Sequence, residues 1–342
     1  MPLEDRTRRI LRRTAITAGA ALLALAGVGW LLYAKLDSNI RTDTATDRAL
    51  RADHGSRPER PAGQARNILL LGTDSQANWG STRADTAILL HLSADRRRAS
   101  MTSVPRDMMV DIPSCVRPDG GRTEPEYAQF NWAYERGGAA CSIRTFEKFS
   151  GIRVDHHLVV DFSGFMKVVD AVGGVDVDVA EPISEPEYGI TLQPGRQRVQ
   201  GKDALVFVRT RQGVSDGSDL QRIERQKGFM RALVDKITDT GTLTSPSRVY
   251  PLLDAATSSL TADGGMDSPA ELYSLLKSAR SIPPSELRIV TVPCVEHPDY
   301  QGRYKMVPDQ GKSLFAALRS DKELPGRLYN AYTKDGQRNE PY

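Results

Sequence analysis

Cysteine and long apolar segments are scarce in this chain, and each scarcity excludes a class of protein. The 342 residues include 3 cysteines, with no Cys-x-x-Cys pair and no histidine–cysteine cluster at zinc spacing, which excludes a zinc module. A single apolar run is long enough to cross a bilayer, which excludes a polytopic transporter. With 39% hydrophobic residues, the chain is neither collagen nor grossly disordered, and its length allows a substantial core in one or two domains.

An excess of charge of either sign is absent from most of the chain. The whole chain has 46 basic and 43 acidic residues, of which residues 1–14 carry five and two, so the remainder is balanced at 41 of each. A general nucleic-acid binder would concentrate positive charge on its folded part. We therefore expect no nucleic-acid partner.

Residues 15–34 (AITAGAALLALAGVGWLLYA) carry no charge and are long enough to cross a bilayer as a helix. Arginines precede this run, and Trp30 and Tyr33 lie near its end, as interfacial aromatic residues do. The positive-inside rule predicts a single-pass plasma-membrane protein with a cytoplasmic N-terminus and the rest of the chain outside the cell. A cleaved signal peptide is the alternative, but the small-x-small pattern that cleavage requires is poor around Leu32.

The predicted organisation has five parts. They are a cytoplasmic basic arm at 1–14, a transmembrane helix at 15–34, a polar extracellular stalk at 35–65, a folded domain at 66–320 and a tail at 321–342.

Cys115 and Cys141 flank a segment that otherwise looks irregular. A disulfide between them would close this loop in an oxidising compartment, and Cys294 would remain unpaired. The alternative is that all three are unpaired small apolar residues. We favour the Cys115–Cys141 disulfide.

Alternating short apolar runs and amphipathic segments predict a layered α/β (α+β) domain with a central sheet. The predicted strands are 67–72, 86–92, 99–104, 110–112, 157–162, 175–179, 204–211 and 287–292. The predicted helices are 142–150, 163–172 (capped by Ser163), 220–237, 269–279 and 312–318.

Charged residues recur at the ends of the predicted strands, where open sheets tend to bind ligands. The segments are Gly72-Thr73-Asp74, Arg83-Ala84-Asp85-Thr86, Val104-Pro105-Arg106-Asp107 and Phe207-Val208-Arg209-Thr210-Arg211, followed by Asp219, Arg222, Arg225 and Gln226. The planar guanidinium group of arginine can donate two parallel hydrogen bonds to phosphate oxygens. Arg209 and Arg211 are two residues apart, so they would share one face of a strand. The pattern indicates an anionic ligand.

Asp74 and Asp85 could hold a hard divalent cation, because Mg²⁺ takes one or two carboxylates together with phosphate oxygens of a substrate. Arginines combined with a carboxylate-bound metal are typical of phosphoryl transfer. Structural ion pairs among the same residues are the alternative, which spacing alone leaves open. Histidine is a poorer candidate ligand: His156 and His157 are adjacent on a strand and so point to opposite faces, and His91 lies inside an apolar strand. Ser215, Ser218 and Cys294 lack a nearby His/Asp pattern, so nucleophilic catalysis is not expected.

These motifs resemble the LytR-CpsA-Psr family, which comprises membrane-anchored cell-wall glycopolymer ligases of Gram-positive-type bacteria. The resemblance covers about residues 66–240, and several long strings occur in the family's order. They are NILLLGTD (67–74), TRADTAILLHL (82–92), SVPRDMMVDIP (103–113), NWAYERGG (131–138), DHHLVVDFSGFMKVVDAVGGVDVDV (155–179), GKDALVFVRTRQ (201–212) and DLQRIERQKGFMRAL (219–233). One departure is Lys227, where members often have glutamine.

The resemblance implies a mixed central sheet with helices on both sides and an apolar pocket for a polyprenyl chain. It also implies a phosphotransferase that moves a glycopolymer from a polyprenyl-pyrophosphate carrier to a peptidoglycan hydroxyl, typically the 6-hydroxyl of N-acetylmuramic acid. The polymer could be a teichoic acid or another wall glycan. A lipid-pyrophosphate hydrolase using the same site, and a non-catalytic wall-binding or regulatory protein, are the alternatives.

The resemblance also implies roles for individual residues. Asp74 and Asp85 would bind Mg²⁺, with Mn²⁺ as the alternative. Asp107 and Asp219 would support the arginine set. Arg106, Arg209, Arg211 and Asp219 form the expected catalytic group, and pyrophosphate contacts are expected from Arg83, Arg106, Arg209 and Arg211, with Arg222 and Gln226 behind them.

Overall fold

The computed structural model describes residues 2–60, 63–74, 83–186, 188–210, 219–239, 241 and 245–326. The helices are α1 (Pro2–Asn39), α2 (Thr44–Ala52), α3 (Trp132–Ser150), α4 (Phe162–Ala171), α5 (Gly201–Arg209), α6 (Asp219–Thr238), α7 (Pro246–Thr257), α8 (Pro269–Arg280) and α9 (Pro308–Arg319). The strands are β1 (Arg41–Thr42), β2 (Arg66–Thr73), β3 (Ala84–Leu92), β4 (Ala99–Val104), β5 (Met109–Ile112), β6 (Glu126–Gln129), β7 (His156–Asp161), β8 (Val175–Val179), β9 (Ile183–Glu185), β10 (Ile190–Leu192), β11 (Gly195–Val199), β12 (Leu260–Ala262), β13 (Leu287–Thr291), β14 (Cys294–Glu296) and β15 (Tyr304–Met306).

A seven-stranded mixed sheet in the order β1-β12-β7-β2-β3-β4-β13 organises the domain. Strand β2 runs parallel to β7 and antiparallel to β3, and β3 runs antiparallel to β4. Strands β2, β4 and β7 therefore end at the same edge of the sheet, where β3 begins. Because Arg106, a residue of the expected catalytic group, follows β4 at this edge, we call it the catalytic edge.

Helices cover both faces of the sheet because successive strand residues point to opposite sides. Leu69, Leu71 and Leu89 face one cluster, which includes Phe146 of α3 and Phe315 of α9. On the other face, residues such as Ile88 and Leu92 pack with Met230 and Val234 of α6 and Leu275 of α8. The predicted sandwich of helices on both sides of a mixed sheet is confirmed.

Helix α1 contains the apolar segment predicted from the sequence. Within it, Leu11–Asn39 is long and apolar enough to cross a membrane, with a mean hydropathy of 2.0. This segment fits a single-pass membrane anchor.

The prediction of a polar stalk separate from the domain at 35–65 does not hold for most of its length. Leu36 at the end of α1 is only 5% exposed, β1 pairs with β12, and α2 buries Ala49 and Leu50. Arg57 donates from Nη2 to Oε1 of buried Glu147 at 2.7 Å. The segment is polar on average, but its few apolar residues lie at helical spacing and pack against a domain that is distant in sequence. The predicted boundary at residue 66 therefore lies too late.

The predicted strand at 204–211 is also wrong, because residues up to Arg209 form helix α5. A short apolar run such as Ala204–Phe207 does not distinguish a buried strand from a buried helix by periodicity. All four of these residues are buried. Two smaller differences concern helix starts: Asp161, rather than Ser163, caps α4 by accepting from the Gly164 N–H at 2.7 Å, and α3 begins at Trp132.

The predicted tail begins as part of the domain. Leu324 is buried in the main core cluster, and Asp321 accepts from the Ala94 backbone N–H at 2.9 Å. Residues 327–342 lie outside the described residues.

Candidate active site

The catalytic edge brings together the first three charged segments found in the sequence. Asp74 follows β2, and Asp85 is the second residue of the neighbouring strand β3. A bulge between Gly72 and Thr73 shifts the pairing of these strands close to both carboxylates. Arg106 follows β4, which lies on the other side of β3. Adjacent strand ends thus place two carboxylates and one guanidinium next to each other.

Arg106 is held by two carboxylates. Its Nη1 donates to Oδ1 of Asp85 at 2.9 Å, and its Nε donates to Oδ2 of Asp107 at 3.4 Å. The Arg106 side chain is 13% exposed, so these contacts are little screened by water. Asp107 also lies 3.7 Å from Nη1 of Arg303, a residue distant in sequence. The geometry fixes the direction of the Arg106 fork.

Arg83 approaches the same edge from the start of β3. Its backbone N–H donates to Oδ1 of Asp74 at 3.2 Å, and its Nε donates to Oε2 of Glu135 at 2.6 Å. The guanidinium also lies 5.5 Å from the ring centroid of Trp132. Because the Arg83 side chain is more than one-third exposed, it remains accessible to an anionic ligand.

Arg209 reaches this region from the last residue of α5, not from a strand. Its guanidinium lies 5.2 Å from the ring centroid of Phe162, and its Nη1 donates to the hydroxyl of Tyr188 at 2.9 Å. Phe162 follows Asp161, whose backbone pairs in register with Thr73 at the end of β2. Stacking on Phe162 therefore brings Arg209 to the catalytic edge.

Helix α6 supports the end of α5. Gln226 donates from Nε2 to the carbonyl oxygen of Val208 at 2.9 Å, and Arg225 donates from Nη2 to the carbonyl oxygen of Thr210. Arg222 is buried one turn earlier on the same helix. Burial lowers the pKa of Arg225. These contacts hold the backbone on both sides of Arg209.

Two predicted site residues are not placed by these contacts. Arg211 lies outside the described residues, as do Ser215 and Ser218. Asp219 begins α6, but its side chain is not among those described.

A divalent cation fits the chemistry of Asp74 and Asp85. Within the described ranges, no group of three His, Cys, Asp or Glu side chains converges on one point, so a cage built from the protein alone is not found there. Mg²⁺ does not require one, because it commonly binds through one or two carboxylates, waters and the phosphates of a substrate. Asp74 and Asp85 lie on adjacent strands, and each uses one oxygen in the contacts described above.

Several contributors to the site were missed in the sequence. Glu135 and Trp132 contact Arg83, Phe162 and Tyr188 contact Arg209, and Arg303 contacts Asp107. Trp132 and Glu135 lie in the NWAYERGG string and Phe162 lies in the DFSGF string, so these family-like strings could have pointed to them. Nothing local marks Tyr188 or Arg303, because their roles come from distant contacts.

His91, His156 and His157 lie away from the catalytic edge and have structural partners. His91 is buried, with Nδ1 2.7 Å from Oδ1 of Asn67, and burial lowers its pKa. His156 and His157 begin β7 at the opposite edge, where both contact Asp263. A cavity of about 140 Å³ lies beside them and is lined by none of the predicted site residues.

The structure pairs Cys115 with Cys141, as predicted, with their Cα atoms 5.3 Å apart. The bridge ties the segment after β5 to α3. Gly137 is required beside it, because a Cβ there would lie 2.9 Å from that of Cys141. Cys294 is buried, and burial raises the pKa of its thiol, so it is a poor nucleophile.

Fold and site together define a mixed α/β domain on a single apolar helix, with arginines and carboxylates at one edge of its sheet. A model of the LytR_cpsA_psr family matches residues 32–319. The chain belongs to this family.

Curated relatives and solved structures agree with this membership. The chain is 32% identical over 204 residues to the probable cell wall biosynthesis protein LcpB of Corynebacterium glutamicum, covering 56% of this chain and 46% of LcpB. It is 28% identical over 249 residues to the polyisoprenyl-teichoic acid–peptidoglycan teichoic acid transferase TagV of Bacillus subtilis, covering 71% of this chain and 62% of TagV. The chain thus spans about half to three-fifths of the length of these relatives.

Two solved structures share the fold. The crystal structure of B. subtilis TagV has a TM-score of 0.63 and 23% identity, covering 76% of this chain and 98% of TagV. A structure of TagT bound to LI-WTA has a TM-score of 0.59 and 24% identity, covering 78% of this chain and 97% of TagT.

Proposed function

We propose that this protein is a phosphotransferase that moves a glycopolymer from a polyprenyl-pyrophosphate carrier to a hydroxyl of peptidoglycan. The observation that carries the proposal is the convergence of Asp74, Asp85, Arg106 and Arg209 on one edge of the sheet. Family membership and the names of relatives, which include several polyisoprenyl-teichoic acid–peptidoglycan teichoic acid transferases, support the same chemistry.

The arginines supply what a pyrophosphate needs in order to react. Negative charge on the phosphate oxygens repels an attacking hydroxyl, and guanidinium groups neutralise that charge and stabilise the leaving phosphate. Arg106 and Arg209 are held in fixed directions by Asp85, Asp107 and Tyr188. They therefore bind the diphosphate with little reorganisation.

In the proposed step, an acceptor hydroxyl oxygen attacks the phosphorus that carries the sugar. A new phosphodiester bond forms, the bond to the bridging oxygen breaks, polyprenyl phosphate leaves, and the hydroxyl proton is released. A bound Mg²⁺, or Mn²⁺ in its place, would neutralise phosphate oxygens, and Asp74 and Asp85 would hold it. Asp107 orients Arg106 in this step.

A partly buried apolar surface between the sheet and its covering helices suits the lipid chain. Leu70 and Leu90 of the sheet and Met230, Val234 and Leu275 of the covering helices are only partly buried, although they pack against one apolar cluster. Covering these side chains with a polyprenyl chain would remove apolar surface from water. Part of this surface lies under α6, the helix that also carries Arg225 and Gln226.

The membrane anchor enters the domain on the side from which a lipid substrate would come. Asn39 ends α1, and Leu36 packs on the domain one turn earlier. Strand β1 follows and runs parallel to β12, which is antiparallel to β7. The anchor therefore joins the sheet at the catalytic edge. The five arginines before the apolar helix and the disulfide both support an extracellular domain on a cytoplasmic N-terminal arm.

A reconstituted assay tests the proposal. Detergent-solubilised full-length chain is incubated with a synthetic polyprenyl-pyrophosphate oligosaccharide, with and without a peptidoglycan acceptor, in Mg²⁺ or EDTA. Polyprenyl phosphate and glycan-linked product are expected only when acceptor is present. Sugar phosphate formed at the same rate without acceptor would identify a hydrolase, and binding without turnover would identify a non-catalytic protein.

A further inference from the structure

Two exposed tyrosines and a histidine form an aromatic surface beside the catalytic edge. Tyr127 on β6 and Tyr300 in the loop between β14 and β15 are each 46% exposed, and their ring centroids are 6.2 Å apart. The ring of His297 packs against both, 6.1 Å from that of Tyr127 and 4.7 Å from that of Tyr300, and is largely buried. We call these three residues the aromatic platform. None of them takes part in the mechanism above.

Hydrogen bonds fix the orientation of the platform. The backbone N–H of Asp299 donates to Nδ1 of His297 at 3.1 Å, so Nε2 carries the ring proton in this geometry. Nε2 then donates to the hydroxyl oxygen of Tyr127, also at 3.1 Å. The Tyr127 hydroxyl oxygen accepts this bond, so its own O–H is available to another acceptor.

A short chain of contacts connects the platform to the phosphate site. Tyr127 and Gln129 project from the same face of β6, about 7 Å apart along the strand. With its amide nitrogen directed at Asp107, Gln129 donates to Oδ1 at 2.7 Å. Asp107 is also the partner of Arg106, and the backbone N–H of Arg303 donates to the carbonyl oxygen of Tyr300. The platform thus adjoins the residues that would hold the reacting phosphate.

We infer that the aromatic platform binds sugar rings of the acceptor glycan; this inference rests on the proposed function. One face of a pyranose ring presents weakly positive C–H groups, which complement the negative face of an aromatic ring. The hydroxyls of Tyr127 and Tyr300 and the nearby guanidinium of Arg303 can meet the hydroxyl and acetamido groups at its rim. The polyprenyl chain of the donor has no such groups and suits the apolar surface between the sheet and α6 instead.

Glycan binding without a donor tests this inference directly. The probe is a hexamer of β-1,4-linked N-acetylglucosamine, titrated into detergent-solubilised full-length chain and followed by calorimetry or saturation-transfer NMR. Tyr127→Ala with Tyr300→Ala is expected to weaken binding about tenfold. Tyr273→Ala is the matched control, because it removes an exposed tyrosine from α8. Equal binding by wild type and the double variant, equal loss in Tyr273→Ala, or no binding by wild type would overturn the inference.

A kinetic measurement separates this inference from the proposed function. In the transfer assay, the double variant is expected to raise the acceptor KM about tenfold without changing the donor KM. Arg106→Ala is expected to lose transfer and to keep binding the free hexamer. If neither wild type nor any variant transfers the glycopolymer, the proposed function fails, but hexamer binding still tests whether the aromatic platform binds glycan. If the double variant raises the donor KM instead of the acceptor KM, the aromatic platform does not bind the acceptor.

Discussion

Arg106 donates to Asp85 at 2.9 Å across two neighbouring strands, so one carboxylate serves both an arginine of the phosphate site and the candidate metal site. Arg106→Ala is expected to lower the rate of transfer by about 10²–10³-fold, the usual effect of removing an electrostatic stabiliser. Arg106→Lys is expected to recover only part of this loss, because lysine lacks the planar fork. Polyprenyl phosphate release measures the rates. Arg196→Ala, an exposed arginine on β11, is the control; normal turnover by Arg106→Ala would remove Arg106 from the mechanism.

The second prediction concerns the metal. Asp74→Asn and Asp85→Asn should each raise the Mg²⁺ concentration that gives half-maximal transfer, because each removes a charged ligand. Calorimetric titration of Mg²⁺ in the presence of a polyprenyl pyrophosphate gives a readout independent of turnover. Asp178→Asn, an exposed carboxylate on β8, should behave as wild type. Unchanged Mg²⁺ dependence in both site variants would exclude them as ligands.

The third prediction concerns the support of Arg209. Removing the ring of Phe162 with Phe162→Ala takes away one face against which the guanidinium is packed, and Tyr188→Phe removes its hydrogen-bond acceptor. Both variants should raise the donor KM, by less than Arg209→Ala does, because the charge remains but its position is less restricted. The Arg209 variant should fold, since its side chain is only partly buried. A donor KM that rises in neither support variant would contradict the positioning role.

The fourth prediction concerns the disulfide. The Cys115–Cys141 bridge closes a loop with a sequence separation of 26, so removing it should lower the free energy of unfolding by about 3 kcal/mol. Cys115→Ser with Cys141→Ser, compared with Cys294→Ser, tests this by urea denaturation of the detergent-solubilised chain. Reducing agent should destabilise wild type to the same extent and leave the double variant unchanged. Insensitivity of wild type to reduction would argue against the bridge.

The fifth prediction concerns the segment that follows the anchor. Burial raises the pKa of Asp43, but hydrogen bonds from His157 and Thr46 outweigh it and lower this pKa from 3.8 to about 2. Because the folded-state pKa is depressed, the stabilisation is complete above the unfolded value and is lost as pH falls from about 4 toward 2.

Asp43→Asn tests this dependence, because asparagine keeps the N-cap of α2. We expect wild type to exceed the variant by about 2 kcal/mol in free energy of unfolding at pH 6, and by much less at pH 2.5. Urea midpoints of the full-length chain at both values provide the measurement. A difference independent of pH would indicate that the carboxylate charge does not contribute.

Much of the central architecture was predictable from local sequence. The strands β2, β3, β4, β7 and β13 of the central sheet have short apolar runs, and β8 of a smaller sheet has strict alternation; turn residues and length favour strands there. The polar ends of β2, β3 and β4 mark Asp74, Asp85 and Arg106. The helix α5 was not predictable, because ALVFV is equally apolar as a strand or a buried helix. The contacts of Arg209 with Phe162 and Tyr188 could not be predicted either, because they depend on α5 being a helix.

The apolar N-terminal helix, the balanced charge of the remaining chain and the strands with charged residues at their ends can all be read from the amino-acid sequence, because each depends on composition or periodicity within one segment. Tertiary contacts alone reveal that residues 36–57 pack on the domain, that the apolar helix leads into the sheet at the catalytic edge and that Tyr127, His297 and Tyr300 meet. These relationships are contacts between segments far apart in sequence, and no local pattern encodes which distant side chain will complete them.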